Sequence, residues 1–355
     1  MRYFNEARAY YSEGELDEAL EHLDKALKRS PEFADPALMA GQIWVDRNDI
    51  DRANQYFDRA WQASGAAYVA FQAGMANYSF GEYARSLEFL QAYVQSEKAR
   101  QAYMDAAEKA MADCRFALEA MKHPSDFEPL NMGGAVNSAA MEYFPSISAD
   151  GLTLVFTYRN PEATKRDEDF FYSTLRDSVW QASGPLPGRL NTALNEGAQS
   201  VSADGNRLFF VGCNRMEGKG SCDIYTAIRR EDGSWSQAVN MGDSINTANW
   251  ETQPSISPDG RTLYFIRGAK RDPKSSDLWY STLHSNGYWT RARRMPSMVN
   301  SPGRESSPFI HFDNQTLYFS SDGRVGMGSL DFFVTRKQKD GSWSEPQNLG
   351  FPING

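Results

Sequence analysis

The sequence predicts a solenoid of helical hairpins followed by an all-β domain of repeated four-stranded sheets, a β-propeller. Two observations carry this. Up to about residue 123 the apolar spacing is helical and repeats every 34 residues. Beyond it, a box of strand, tight turn and strand recurs four times, as in EYFPSISADGLTLVF from Glu142 and ETQPSISPDGRTLYF from Glu251. The expected boundaries are 1–123 and 124–355, with sheets at about 138–187, 192–242, 247–296 and 301–350.

The helical part breaks at Gly14, Pro31, Asn48, Gly65 and Gly81. Tyr10, Gly14, Ala19, Leu23, Ala26 and Pro31 return 34 residues later as Trp44, Asn48, Ala53, Phe57, Ala60 and Gly65. A third unit holds Gly74, Tyr78, Gly81, Ser86 and Leu90. Two helices approach closely only where side chains are small and a large neighbour fills the hole beside them. Over about 95 residues this pattern resembles the tetratricopeptide repeat. A last helix, roughly Glu97 to Met121, is expected as the polar cap of the stack. The resemblance implies that the first helix of each hairpin lines a concave groove for peptides or partner proteins. The matching positions are Phe4, Arg8, Tyr11, Leu38, Gln42, Val45, Phe71, Met75 and Tyr78. The competing reading makes these aromatics core and inter-repeat packing.

In the β part, Asp150, Asp204, Asp259 and Asp313 are spaced 54, 55 and 54 residues apart, and Trp180, Trp235, Trp289 and Trp343 keep the same beat. So do Asn137, Asn191, Asn246, Asn300 and Asn354, each preceded by an aliphatic residue. Five residues after each of the first four Asn stands a Glu: Glu142, Glu196, Glu251 and Glu305. Each unit reads as four strands; in the third they are TQPSIS, TLYFIRG, DLWYSTL and YWTRARRM. The Asp-Gly pair closes a tight hairpin, since Asp bonds its own backbone and Gly accepts positive φ. Runs such as RLFFV and TLYFI are unbroken because a blade is buried on both faces.

The net charge of −9 argues against nucleic acid as a partner. No run of 18 apolar residues is present to span a bilayer, and MRYFNEARAYY shows no signal-peptide pattern. Cys114 reads as a buried small apolar group, while Cys213 and Cys222 flank one loop, CNRMEGKGSC. They form a disulfide in an oxidising compartment or stand as two separate thiols; a zinc pair is disfavoured because no second Cys or His pair is near. The four His show no metal spacing and no G-x-S-x-G elbow exists, so no catalytic residue, metal or cofactor is expected.

The Glu column has two readings. One is a ring of carboxylates around the axis, suited to a hard cation. The other, which we favour, is a structural lock on backbone N–H groups, because a residue repeated in every blade serves what every blade shares. The Trp column is expected to pack the outer strand, and Asp169, Asp223, Asp277 and Asp331 to act as turn residues. Lys165, Arg166, Lys270, Arg271 and Lys274 fall in the longer loops joining second and third strands.

The SISPDGRTLYF box resembles the WD40-like repeats of TolB-type propellers. With helical repeats in front, the chain resembles a periplasmic family of Bacteroidetes-type bacteria. These proteins join tetratricopeptide repeats, a WD40-like propeller and a C-terminal OmpA-like peptidoglycan-binding domain. PorE-like members are linked to type IX secretion. The resemblance implies a non-enzymatic, outer-membrane-associated scaffold whose partners are envelope or secretion proteins. It also implies a periplasmic disulfide between Cys213 and Cys222. Peptidoglycan would be reached only through the OmpA-like domain, which this sequence lacks. The alternative function is a glycan or other small ligand bound or processed in the central pocket. Finally, FEPLNMGGAVNS ahead of the first unit aligns with WSEPQNLGFPING, through Pro129 with Pro346, Asn131 with Asn348 and Met132 with Leu349. The expectation is four complete blades of an incomplete five- or six-bladed ring, with residues 129–132 as an outer strand of its last blade; the alternative is a plain linker.

Overall fold

The computed structural model describes residues 1–162, 168–269 and 272–355, without the side chains of 272–274. The loop residues Lys165, Arg166, Lys270 and Arg271, and the Lys274 side chain, lie outside the described residues. The chain divides into two units. One is Met1–Ser125 with Val325–Gly328 and Gly350–Gly355; the other is Asp126–Arg324 with Ser329–Leu349.

The first unit holds α1 (Arg2–Glu13), α2 (Leu16–Arg29), α3 (Ala34–Asp46), α4 (Ile50–Ser64), α5 (Ala67–Ser79), α6 (Tyr83–Val94) and α7 (Met104–Ala120). They pack as the hairpins α1–α2, α3–α4 and α5–α6, with α7 against α6. The small column explains the close approach. A Cβ on Gly41 would lie 2.5 Å from a Phe57 ring carbon, and one on Gly74 would lie 2.7 Å from Leu90. In the first hairpin Ala7 and Leu23 take these places, both fully buried. Gly14 and Gly65 end α1 and α4 at φ 82° and 57°, where a Cβ would be strained. The last helix starts at Met104 rather than near Glu97, behind a 3-10 turn at Gln101–Tyr103. It is also less polar than a plain cap. Ala107, Ala110, Cys114 and Ala117 are buried along it, and Cys114 and Ala117 cluster with Tyr83 and Met327.

The second unit is four antiparallel sheets. Blade 1 is β1 (Met141–Ile147), β2 (Thr153–Arg159), β3 (Glu168–Arg176) and the short β4 (Val179–Trp180) and β5 (Gly184–Pro185). Blade 2 is β6 (Glu196–Val201), β7 (Arg207–Cys213), β8 (Cys222–Ile228) and β9 (Val239–Asn240). Blade 3 is β10 (Trp250–Ile256), β11 (Thr262–Ala269), β12 (Asp272–Thr282) and β13 (Arg293–Arg294). Blade 4 is β14 (Glu305–Ile310), β15 (Thr316–Ser321), β16 (Asp331–Arg336) and β17 (Gln347–Asn348). Together they form a four-bladed β-propeller. Three apolar clusters join neighbours. Phe170 meets Leu208 and Phe210, Ile224 meets Leu263 and Phe265, and Leu278 meets Leu317 and Phe319.

Two expectations need correction. The fourth strand was expected to run through YWTRARRM, yet β13 is two residues long, with a single further bridge from Leu283 to Trp289. It is an outer edge, and short edges limit unwanted pairing. Residues 129–132 take part in no strand among the described residues, and Leu130 is 90% exposed.

Candidate functional site

The acidic column does not open onto the axis as a ring. Glu196, Glu251 and Glu305 have no exposed surface, and Glu142 is half-buried. Each carboxylate accepts both the backbone N–H and the hydroxyl of the residue four places before it. Ser138 Oγ donates to Glu142 at 2.5 Å, Thr192 Oγ1 to Glu196 at 2.7 Å and Thr247 Oγ1 to Glu251 at 2.6 Å; Ser301 does the same for Glu305. The Glu thus pins the linker entering its own blade. Two of these carboxylates also meet arginines that sequence reasoning did not single out. Arg215 lies 2.8 Å from Glu196 and over the Tyr225 ring; Arg267 lies 2.7 Å from Glu251 and over Trp279. Arg215 and Arg267 occupy different repeat positions, and only Arg215 has an arginine, Arg324, at the matching place in another blade. At Glu305 burial pushes the carboxyl above its ordinary range, against the bonds from Ser301 and Ser321. Its Oε2 has no hydrogen-bond partner among the described residues.

The Asn column is a second lock. Asn191 Oδ1 accepts the N–H of Phe170 at 2.8 Å, and its Nδ2 donates to the carbonyl of the same residue at 3.0 Å. Asn246 holds Ile224 in this way at 2.8 Å on both sides, and Asn300 holds Leu278 at 2.8 and 3.1 Å. Each amide therefore chelates one residue of the third strand of the preceding blade. Asn is the residue for this task because it carries one acceptor and one donor side by side. The Trp column reaches further than the outer strand. Trp289 of blade 3 meets Phe209 of blade 2 edge-on, and Trp343 of blade 4 meets Tyr264 of blade 3. Of the acidic third-strand residues, Asp223 accepts the backbone N–H groups of Lys219 and Gly220 in the loop before β8, as a turn residue does, whereas Asp169 and Asp277 pair within β3 and β12, and Asp277 is held by both arms of Arg294.

A further repeated feature escaped the sequence. Phe144, Ala198, Gln253 and Ser307 take φ of 50°, 49°, 53° and 49°, each inside a bulge of the innermost strand. A proline after three of the four, at Pro145, Pro254 and Pro308, was the available signal, since the residue before proline is restricted. These four residues line one cavity of about 370 Å³ at the axis, with Phe309 and Pro145. Among the described residues no three His, Cys, Asp or Glu side chains converge as a metal site. Cys213 and Cys222 face each other across β7 and β8 and are joined as a disulfide. Cys114 is buried, which pushes its thiol up and leaves it unreactive.

The solenoid positions fall into two groups. Leu38 is buried, and Phe71 stacks on Tyr103 and leans on Tyr93, so these are packing residues. Val45, Met75 and Tyr78 lie against the central core, and Phe4 against that of the first hairpin. Tyr11 and Gln42 are brought together by a residue not foreseen: Tyr11 OH donates to Asp46 at 2.7 Å, and Gln42 Nε2 at 3.0 Å. Tyr78 repeats the bond to Asp113 at 2.7 Å. Arg8 is exposed.

Residues 10–77 match the tetratricopeptide-repeat family. No curated protein matches. Among solved structures, the chain is similar to one described as a putative TolB from Agrobacterium tumefaciens, at 16% identity and a TM-score of 0.40. That likeness covers 60% of this chain and 62% of the other, so the chain spans less than two thirds of it. MamA from AMB-1 is similar at 19% identity and a TM-score of 0.29, over 34% of this chain and 62% of its own. The TPR2B domain of yeast Sti1, in a complex with pHsp70, is similar at 17% identity and a TM-score of 0.29, covering 32% of this chain and 98% of that domain.

Proposed function

We propose that the protein is a non-enzymatic scaffold that binds other polypeptides, periplasmic and associated with the outer membrane, within type IX secretion or cell-envelope organisation. One observation carries the scaffold reading. Most of the polar residues that recur from blade to blade are committed to backbone and hydroxyl partners, as at Glu251 with Thr247 and Asn246 with Ile224. The repeats thus supply architecture, and the surfaces between them are free to differ. The tetratricopeptide match supports a polypeptide partner. The Cys213–Cys222 bridge supports an oxidising compartment. Joining two binding modules raises the effective concentration of a partner that touches both.

Two experiments test this. Protein taken from cells under acid quench should show no free thiol at Cys213 and Cys222; labelled thiols there would remove the periplasmic assignment. A photoreactive residue at Arg8 in intact cells should give discrete polypeptide adducts; none above an exposed control would remove the groove. The axial cavity supports a second reading, a small ligand. Its lining of Phe144, Pro145 and Phe309 suits binding rather than glycoside hydrolysis, which requires a carboxylate pair. A saturable change in Trp fluorescence on titrating glycans would favour it.

A further inference from the structure

Five Asn share one place in the register, and three of them are seen chelating a strand: Asn191, Asn246 and Asn300. Asn137 stands in the same place ahead of blade 1. Its Oδ1 is buried and has no hydrogen-bond partner among the described residues. The rest of the lock is nevertheless built. Val136 packs on Leu154 and Phe156, as Ile245 does on Leu263 and Phe265 in blade 3. In the occupied locks the chelated residue is always large and apolar, and its side chain enters that floor. The Phe170 ring, for example, meets Phe210 edge-on at 5.2 Å between centroids. A cavity of about 340 Å³ shares Leu154 with the blade 1 floor; Met132, Ile147 and Trp180 line it at blade 1, Val201 and Ile256 at blades 2 and 3, and Phe309 and Phe312 at blade 4. Ile147 is 41% exposed there, whereas Ile256 and Ile310, its counterparts, are 6% and 3% exposed.

Blade 4 is not built to fill this place. At each inner junction a serine of one blade, Ser146, Ser200 or Ser255, accepts the N–H of Val201, Ile256 or Ile310 in the next at 3.0–3.1 Å. The corresponding residue of blade 4 is Phe309, which has no hydroxyl and is 49% exposed. We propose that Asn137 and the blade 1 cleft hold an extended strand of a partner polypeptide, chelating the N–H and C=O of one bulky apolar residue whose side chain enters between Leu154 and Ile147. The chemistry is sequence-tolerant except at that residue, which cannot be proline, since the lock needs its N–H. This deepens the scaffold reading and rests on it only in taking the partner to be a polypeptide.

The probes are three capped, fluorescein-labelled hexapeptides copying the chelated strands, residues 169–174, 223–228 and 277–282, titrated by anisotropy against the full chain. Saturable binding is expected. Methylating the amide nitrogen of the second residue should weaken it at least about tenfold, a change that leaves the protein untouched. Asn137→Ala should weaken it similarly, Asn137→Asp less, because Asp keeps the acceptor and loses the donor; Asn286→Ala, in an exposed turn, should not. Binding indifferent to N-methylation or to Asn137→Ala, or no binding by any of the three at millimolar protein, overturns the proposal. So does a concentration-dependent dimer abolished by Asn137→Ala, which would assign the lock to a second copy. Retained polypeptide adducts at Arg8 alongside such a failure would leave the scaffold reading standing.

Discussion

Asn246→Ala is the substitution that most sharply separates a lock from an ordinary surface amide. Asn246 is 1% exposed and makes three side-chain bonds, to the N–H and C=O of Ile224 and to Asn240. The carbonyl of Ile224 keeps a partner, the N–H of Met241, but its own N–H is left buried and unpaired. Lost bonds at about 1 kcal/mol net each, with an orphaned donor, give a destabilisation of about 3 kcal/mol. For a unit of this size that is a fall of about 6–12 °C in the midpoint. Near-UV circular dichroism follows it, because six of the eight Trp lie in the β unit. Asn137→Ala is the matched control. Among the described residues its Oδ1 has no partner to lose, so the midpoint should move by about 2 °C at most. Equal losses in the two variants would refute the reasoning, since the empty and filled positions would then be energetically alike.

Other perturbations follow from the same geometry. Gly74→Ala forces a Cβ into Leu90 and should cost about 1–3 kcal/mol in the helical unit, read by far-UV melting; no change would mean the hairpin relaxes freely. Arg267→Ala leaves the fully buried Glu251 without its cation and should cost about 3–5 kcal/mol, with Glu251→Gln restoring part of it in the double variant. Glu305 binds its proton more tightly in the folded state than in the unfolded chain, so its contribution to stability falls as pH rises from about 4.5 through its raised folded-state value. Glu305→Gln should remove that fall, and parallel pH profiles of wild type and variant would contradict it. Reducing the Cys213–Cys222 bridge opens a loop of nine residues' separation and should lower the propeller midpoint by the equivalent of about 2.5 kcal/mol. An unchanged midpoint in reductant would show that the bridge constrains little.

Architecture was legible because repetition amplifies weak signals. One Asn or Trp means little, but four in phase define a blade and place its turns. The helical hairpins were legible for the same reason, through Gly41 and Gly74 opposite Phe57 and Leu90. Partners of the repeated residues were less so. The Glu column was visible, yet its arginines sit at Arg215 and Arg267, out of phase, because a long side chain reaches one point from several backbone positions. The innermost bulges were missed because positive φ at a non-glycine such as Phe144 or Gln253 runs against residue preference, and the proline after each marks a restricted backbone without giving the sign of φ. In the solenoid the pattern found the aromatics of the first helices but not Asp46, the acid that draws Tyr11 and Gln42 together.

The central claim is that repeated residues hold the fold while the surfaces beside them hold polypeptides. It is tested most directly by photo-crosslinking in intact cells, with a photoreactive residue at Met132 in the blade 1 cleft, at Arg8 on the solenoid, or at Lys339 in an outer turn as control. The account predicts discrete protein adducts from Met132 and Arg8, mapped by mass spectrometry to extended segments at Met132, and none from Lys339. Adducts that are absent, or indistinguishable among the three positions, would contradict it.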